Sequence, residues 1–187
     1  MVGQRQVRDY VLEHKERQAL RWLGTSSPFN VTAEALTLAP FTRDEVAELL
    51  GQHTAKTGQR FEPAAVERIY DLSRGHPWLV NAMADQVVNR AVEDRSIAVT
   101  AGHVEAAKET IILERSTHID SLVARLREER VRRVVEPMLM GEFTGADVLN
   151  DDFSHVLGLG LVTLREGQYE IANPIYREVV PRALTFD

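Results

Sequence analysis

The sequence predicts a mainly α-helical fold: a small helical bundle, then a winged-helix domain with a two-stranded wing, after a short N-terminal stretch of α/β character. Three observations predict it. Apolar residues recur at helical spacing between residues 42 and 112, with capping signals between the segments. A Gly-His-Pro corner at 75–77 separates two of these segments. In residues 116–187, three helical segments precede two short alternating segments around Glu166-Gly167.

Composition limits the class of protein. The chain has 187 residues, no cysteine and a net charge of −6. That length suffices for one ordinary domain or two small ones, and the absence of cysteine excludes disulfides. No apolar run reaches the length of a membrane span, and residues 1–5 lack the apolar segment of a secretory signal. We therefore expect a soluble, cytoplasmic protein with no membrane contact, whose acidity disfavours nucleic acid.

Residues 1–40 are the least self-sufficient part of the chain. Residues 2–10 are typical of the exit from a strand, residues 12–23 carry a weak helical pattern, and residues 35–38 predict a short strand. A single strand cannot pair its own backbone groups. We therefore expect this segment to belong to a sheet of which the remaining strands are missing here.

Residues 41–115 predict four short helices. Thr42 and Glu45 form a capping box before the first helix, Gly58 ends it, Pro63 and Pro77 open the second and third, and Thr100 caps the fourth. The predicted core positions follow each start at helical spacing: Val46, Leu49, Leu50 and His53; Val66, Ile69 and Tyr70; Leu79, Ala82, Met83 and Val87; Val104, Ala107 and Ile111. Such amphipathic helices with tight corners predict a small bundle.

The corner at Gly75, His76 and Pro77 is the first candidate site. Glycine suits a left-handed residue just past a helix end, and proline suits the first position of the next helix. The first turn of that helix has unpaired backbone N–H groups, which could face a nucleotide. The alternative is an ordinary corner between two helices of a bundle.

Residues 116–187 follow the order of a winged helix. Thr117 is expected to cap a helix, a second helix should end at Gly141, and a third should begin at Asn150. A hairpin about Glu166-Gly167 and a final helix from Pro174 complete the order. The predicted apolar positions of these helices are Ile119, Leu122, Val123 and Leu126; Val131, Val134, Val135, Met138 and Leu139; Phe153, Val156 and Leu157; Ile175, Val179 and Leu184.

Two further sets of residues could bind ligands. The arginines at 125, 127, 130, 132 and 133 form the one basic cluster, interleaved with Glu128 and Glu129. They predict either a salt-bridged helix surface or, at Arg125, Arg130, Arg132 and Arg133, a phosphate or partner contact. The histidines at 14, 53, 76, 103, 118 and 155 show no metal-ligand spacing, so we assign them structural or solvent-exposed roles.

Several motifs in order along the chain carry a family resemblance. They are VGQRQVRDY at 2–10, LGTSSPFN at 23–30, FTRDEV at 41–46, QHT at 52–54, TGQ at 57–59, GHPWLVNA at 75–82 and ANPIYREV at 172–179. Together they resemble the carboxyl-terminal portion of prokaryotic AAA-like P-loop ATPases, which are related to the STAND signalling NTPases and to replication-initiator ATPases.

The resemblance implies a division into three parts and a nucleotide site. Residues 1–40 would be a remnant of the α/β ATPase core, 41–115 a helical lid and 116–187 a winged helix. Gly75, His76 and Pro77 match the family's Gly-x-Pro lid motif, whose proline corner lies against adenine. Arg8 falls in the sensor region that follows the Walker B strand. ATP and magnesium are implied for the complete ATPase, and a protein partner or the missing core is the implied partner of this chain.

The sequence departs from the family at the catalytic motifs. No glycine is followed by Lys-Ser or Lys-Thr, so no Walker A motif is present, and no apolar run ends in a Walker B acidic pair. Without these groups nothing positions or neutralises the phosphates, so we expect no ATP hydrolysis and no catalytic residue in this chain. One hypothesis is therefore a non-catalytic lid and winged-helix region of a truncated ATPase.

The alternative hypothesis is a DNA-binding winged helix with a helical dimerisation unit. The third helix of the winged-helix segment decides between the two. Its expected exposed residues are Asp151, Asp152, Ser154 and His155. Carboxylates there would repel phosphates, which favours the first hypothesis.

Overall fold

The computed structural model describes residues 39–114, 117–142 and 150–184. The chain divides after Ala39 into two units, and everything described below belongs to the second, Pro40–Asp187. The strand predicted at 35–38, the weak helical pattern at 12–23 and Arg8 lie outside the described residues. The described part is mainly helical, with eight α-helices and one two-stranded antiparallel sheet, as predicted.

The first four helices form the expected bundle. They are α1 (Arg43–Thr57), α2 (Pro63–Ser73), α3 (Pro77–Gln86) and α4 (Ala101–Leu113). The Thr42 side chain accepts from the Glu45 N–H while the Glu45 carboxylate accepts from the Thr42 N–H, so the capping box is confirmed. Gly58 ends α1 in the left-handed region, and Thr100 caps α4. Local capping chemistry therefore set these boundaries.

The connection from α3 to α4 is held by a glutamine that the sequence patterns did not predict. After a π-helical turn, Val87–Ala91, the chain crosses to Val99, which forms a parallel bridge with Phe61. The two N–H groups of the fully buried Gln59 side-chain amide are shared among the carbonyls of Val92, Asp94 and Ile97, which lie 3.0 to 3.3 Å from its nitrogen. Its own oxygen receives Arg95 Nη1 at 2.9 Å, so one buried side chain satisfies the turns of the whole connection.

The second half has the predicted order of three helices, a hairpin and a final helix. These elements are α5 (Thr117–Leu126), α6 (Glu129–Met140), α7 (Asp151–Gly158), β1 (Val162–Arg165), β2 (Gln168–Ile171) and α8 (Pro174–Leu184). The strands pair from Val162 with Ile171 to Arg165 with Gln168. Glu166 and Gly167 both have positive φ, which is what a two-residue hairpin turn requires.

A predicted helix cap and a predicted core position in this half are wrong. Helix α5 includes Thr117 as its first residue, so Thr117 does not precede the helix as its cap. Leu157 is 39% exposed instead of buried, because α7 turns its other face, with Phe153 and Val156, to the core. The Asn150 side chain accepts from the N–H groups of Asp152 and Phe153 and caps α7.

Helix α8 packs against both halves of this unit. It contacts α5 and β2, which precede it closely, and also α2 and α4 of the bundle. Buried Ile175, Tyr176, Val179 and Val180 lie on its inner face. The apolar core is consequently one continuous cluster that draws residues from every described helix. None of the described helices is both long and apolar enough to cross a bilayer.

Candidate functional site

The Gly75–Pro77 corner is built as a tight, crowded turn. Arg74 takes the left-handed position that ends α2, at φ 50°, and Gly75 follows at φ 76°, so two consecutive residues are left-handed where the sequence predicted one. The Gly75 N–H donates to the buried Ser73 hydroxyl at 3.1 Å, and its carbonyl accepts from the Phe41 N–H at 2.8 Å. Pro77 opens α3 as expected.

Gly75 has no room for a side chain. A Cβ there would lie 2.0 Å from the carbonyl oxygen of Phe41, well inside van der Waals contact. Glycine is thus required twice, by the positive φ and by the close approach of the chain at Phe41. The corner is thereby fastened to the segment that leads into α1.

His76 belongs to an aromatic cluster that spans 100 residues of sequence. The Tyr176 hydroxyl of α8 lies 2.6 Å from His118 Nε2 and 3.3 Å from His76 Nε2. Trp78 stacks on the His118 ring, with centroids 4.5 Å apart and planes at 19°, and the two imidazole centroids are 5.1 Å apart. The cluster thus joins the corner, α3, α5 and α8.

Burial keeps both imidazoles neutral. It lowers the pKa of His118 to about 4, with a further contribution from the neighbouring His76, and it lowers the pKa of His76 as well. Burial also raises the pKa of the Tyr176 phenol, so this hydroxyl stays protonated. At neutral pH the three rings therefore form an uncharged hydrogen-bonded chain. The positions of His76 and His118 in the sequence did not predict this contact.

The arginine cluster pairs with carboxylates. Arg125 Nη1 lies 2.8 Å from Glu128, and Arg132 Nε lies 2.8 Å from Glu136. Arg130 and Arg133 approach Asp152 of α7 at 3.5 and 3.4 Å. The sequence predicted either a salt-bridged helix surface or a phosphate or partner contact. The salt-bridged surface accounts for these four arginines.

The residues expected to be exposed on α7 are mostly not. Asp151 is exposed, but Asp152, Ser154 and His155 are half-buried, and the His155 side chain is only 7% exposed. His155 Nε2 lies 3.6 Å from the Glu128 carboxylate, and Asp152 faces the arginines of α6. The prediction was wrong because α7 lies with this face against α6, where the side chains pair with each other.

A shallow apolar groove lies on another face, between α4, α5 and α8. Its volume is about 280 Å³, and Leu113 on its wall is 71% exposed. Arg127 and Arg182 stand at the groove beside its apolar side chains. The lining residues are Ile112, Leu113, Ile119, Val123, Arg127, Val179, Arg182 and Ala183.

The described residues offer no metal site. In 39–114, 117–142 and 150–184, no three histidine, aspartate or glutamate side chains lie close enough together to hold an ion. Of the four residues predicted to contact a nucleotide, Gly75, His76 and Pro77 lie together at one corner. The fourth, Arg8, is outside the described part of the chain.

Comparison with protein families identifies a match that covers most of the chain. A family model described as an AAA-like domain matches residues 11–180. No curated protein and no solved structure matches the chain.

Proposed function

Since the chain belongs to the AAA-like domain family, we propose that it is the non-catalytic lid and winged-helix region of a STAND-related AAA-like ATPase. In this proposal α1 to α4 are the helical lid and α5 to α8 with the hairpin are the winged helix. Residues 1–40 are the end of the ATPase core. The region senses nucleotide through its corner and contacts a protein partner or the rest of the ATPase.

The observation that carries the proposal is the arrangement around the corner. A helical bundle precedes a three-helix, hairpin and helix order, and the Gly-x-Pro corner lies between α2 and α3, buried on one side by Phe41 and Tyr176. The family match covers residues 11–180, which include all of these elements except the last turn of α8. A rigid corner of this kind suits a sensor, because its position is fixed by the packing of both halves.

The described residues fit the base of a nucleotide better than its phosphates. Half-buried Pro77 presents an apolar ring at the surface, and the first turn of α3 offers the backbone N–H of Trp78. No glycine-rich loop with a following lysine exists in the sequence, and the described carboxylates do not cluster as magnesium ligands would. Magnesium and the phosphates would be held by residues outside this chain.

A fluorescence titration tests the nucleotide contact. Trp78 stacks beside the corner, and replacing the other tryptophan, Trp22→Phe, isolates its emission. Because only the base is held, we expect adenosine, ADP and ATP to quench it alike, with no effect of magnesium. Purified chain should hydrolyse no ATP above background.

Two prolines supply the matched variants. Pro77→Ala should weaken the quenching, whereas Pro63→Ala, which removes the same N1 proline from α2, should leave it unchanged. Unchanged quenching in Pro77→Ala would remove the adenine contact from the proposal. ATP turnover that is abolished by a substitution within this chain would overturn the non-catalytic assignment.

The charges support a protein partner over nucleic acid. Arg130 and Arg133 are engaged with Asp152 on the helix that a winged helix would place in the DNA groove, and Asp151 beside it is exposed. Duplex phosphates would meet acids there. The apolar groove at Leu113, with Arg127 and Arg182 beside it, instead suits a protein segment that carries apolar and acidic side chains.

Binding to random-sequence duplex tests this choice. In a fluorescence anisotropy titration at about 150 mM salt, we expect affinity no tighter than about 10⁻⁴ M, the weak end of non-specific binding. A sub-micromolar affinity that falls steeply with salt, and that is lost when Arg130, Arg132 and Arg133 become alanine, would favour the DNA-binding alternative.

A further inference from the structure

Helix α8 is held on the bundle by two polar contacts at one stretch of its inner face. Tyr176 reaches His76 at the corner, and two residues later Glu178 accepts from Lys108 Nζ of α4 at 2.9 Å. Helix α8 also contacts α2 and α4 directly. These contacts join segments 70 to 100 residues apart, so they add polar links to the apolar core that the second half shares with the bundle.

One assignment of donors and acceptors leaves the fewest unpaired polar groups around the Tyr176 hydroxyl. The phenol has one proton to give, and it lies between two imidazole nitrogens. His76 Nδ1 is buried and has no hydrogen-bond partner among the described residues. Buried N–H groups without an acceptor are rarer than buried acceptors without a donor, so the favoured tautomer of His76 has its proton on Nε2, where it donates to the phenol oxygen. The phenol then donates to His118 Nε2, which matches the shorter distance of 2.6 Å.

This arrangement tolerates one added proton and not two. A proton on His118 Nε2 makes that atom a hydrogen-bond donor to the phenol oxygen. The phenol O–H must then donate its hydrogen bond to His76 Nε2. His76 must in turn carry its proton on the buried Nδ1. When both imidazoles are charged, two N–H groups face the same oxygen, the phenol proton has no ring nitrogen to accept it, and two cations stand with ring centroids 5.1 Å apart.

The charged side chains that α2 and α8 bring near the cluster are engaged with one another. On α2, the Asp71 carboxylate is engaged with Arg74 at 3.4 Å. On α8, Glu178 pairs with Lys108 and Arg182. Arg177 extends toward Glu170 at 3.5 Å. On α3, Trp78 offers the face of its ring, which stacks on His118.

We propose that His76, Tyr176 and His118 form a proton-operated latch that holds α8 and the second half against the bundle and releases them when both imidazoles are protonated. The latch acts through the contact between the two halves and is independent of whether the corner contacts a nucleotide. Its geometry predicts release while each half keeps its own helices, because the charges arise only where the halves meet.

Trp78 reports the state of the latch directly. A protonated imidazole stacked on indole quenches its fluorescence, so Trp78 emission in a Trp22→Phe background follows protonation of His118. Burial lowers the pKa of His118 to about 4, and His76 contributes to that shift. We expect the emission midpoint to lie well below pH 6 in the parent chain and to rise in His76→Gln, which removes the neighbouring imidazole. His103→Gln, which alters a histidine at the start of α4, is the matched control and should leave the midpoint unchanged.

Distances between spin labels test the release itself. The chain has no cysteine, so Ala55→Cys on α1 and Glu166→Cys at the hairpin turn can be labelled selectively, since both positions are exposed. We expect one narrow distance distribution at pH 7.5 and a second, longer one below pH 4, with far-UV circular dichroism retained. In the double variant His76→Gln/His118→Gln, the distribution should stay narrow at both values.

Three results would overturn the latch. They are a distribution in the parent chain that stays narrow where Trp78 emission shows protonation, acid opening that persists in the double variant, and loss of all helical signal together with the opening. Tyr176→Phe supplies a second check because it keeps the packing and removes the shared hydroxyl. It should broaden the distribution already at pH 7.5.

Discussion

Replacing Gly75 by alanine should destabilise the protein by about 3 to 5 kcal/mol. A left-handed conformation costs an alanine about 1 kcal/mol. The new methyl group would lie 2.0 Å from the Phe41 carbonyl oxygen, so the backbone must move by about 1 Å or more, at about 1 to 3 kcal/mol. That movement also breaks the hydrogen bond from the Phe41 N–H to Gly75, worth about 1 kcal/mol.

Gly58→Ala is the matched control for this substitution. Gly58 has a similar φ of 81°, but nothing lies within 4 Å of the position that its Cβ would occupy. Gly58→Ala should therefore lower the free energy of unfolding only by the cost of a left-handed alanine, about 1 kcal/mol. Urea denaturation followed by far-UV circular dichroism gives both free energies of unfolding. If the two variants differed by less than about 1 kcal/mol, the close approach at Phe41 would not be the reason for glycine.

Two further substitutions follow from the same structure and can be measured in the same assay. Gly51→Ala should stabilise the protein by about 0.5 to 1 kcal/mol, because Gly51 is exposed inside α1 and no atom lies within 4 Å of the added methyl group; a loss of stability would contradict this. Gln59→Ala should cost about 2 to 3 kcal/mol, because it leaves the carbonyls of Val92, Asp94 and Ile97 without their donor. A loss below about 1 kcal/mol would mean that water replaces the amide.

The features that the sequence predicted correctly are local ones. The capping box at Thr42, the prolines that open α2 and α3 and the hairpin turn at Glu166 each depend on residues within four positions of one another. Such signals fix the backbone directly, through side-chain caps, a fixed φ or a positive φ. For this reason the order of elements could be predicted from local sequence.

The features that the sequence did not predict depend on distant residues. Gln59 bonds to groups 33 to 38 positions away, and Tyr176 lies 100 positions from His76. Nothing in the local pattern of either residue distinguishes it from a solvent-exposed polar side chain. Asp152 was misplaced for the same reason: whether a helix face is exposed depends on its neighbour, and here α6 presents Arg130 and Arg133 to it.

The boundary predicted between residues 115 and 116 has a thermodynamic consequence. Two domains with separate cores would unfold independently, but Lys108 of α4 is bonded to Glu178 of α8 and the apolar core is continuous across both halves. We therefore expect one cooperative transition at pH 7, with Trp78 fluorescence and circular dichroism giving the same midpoint. Below pH 4, where protonation of His118 passes its midpoint, the shared contacts are weakened and the two probes should separate. Two transitions already at pH 7 would mean that the halves are energetically independent, and the contacts of α8 with the bundle would then contribute little to stability.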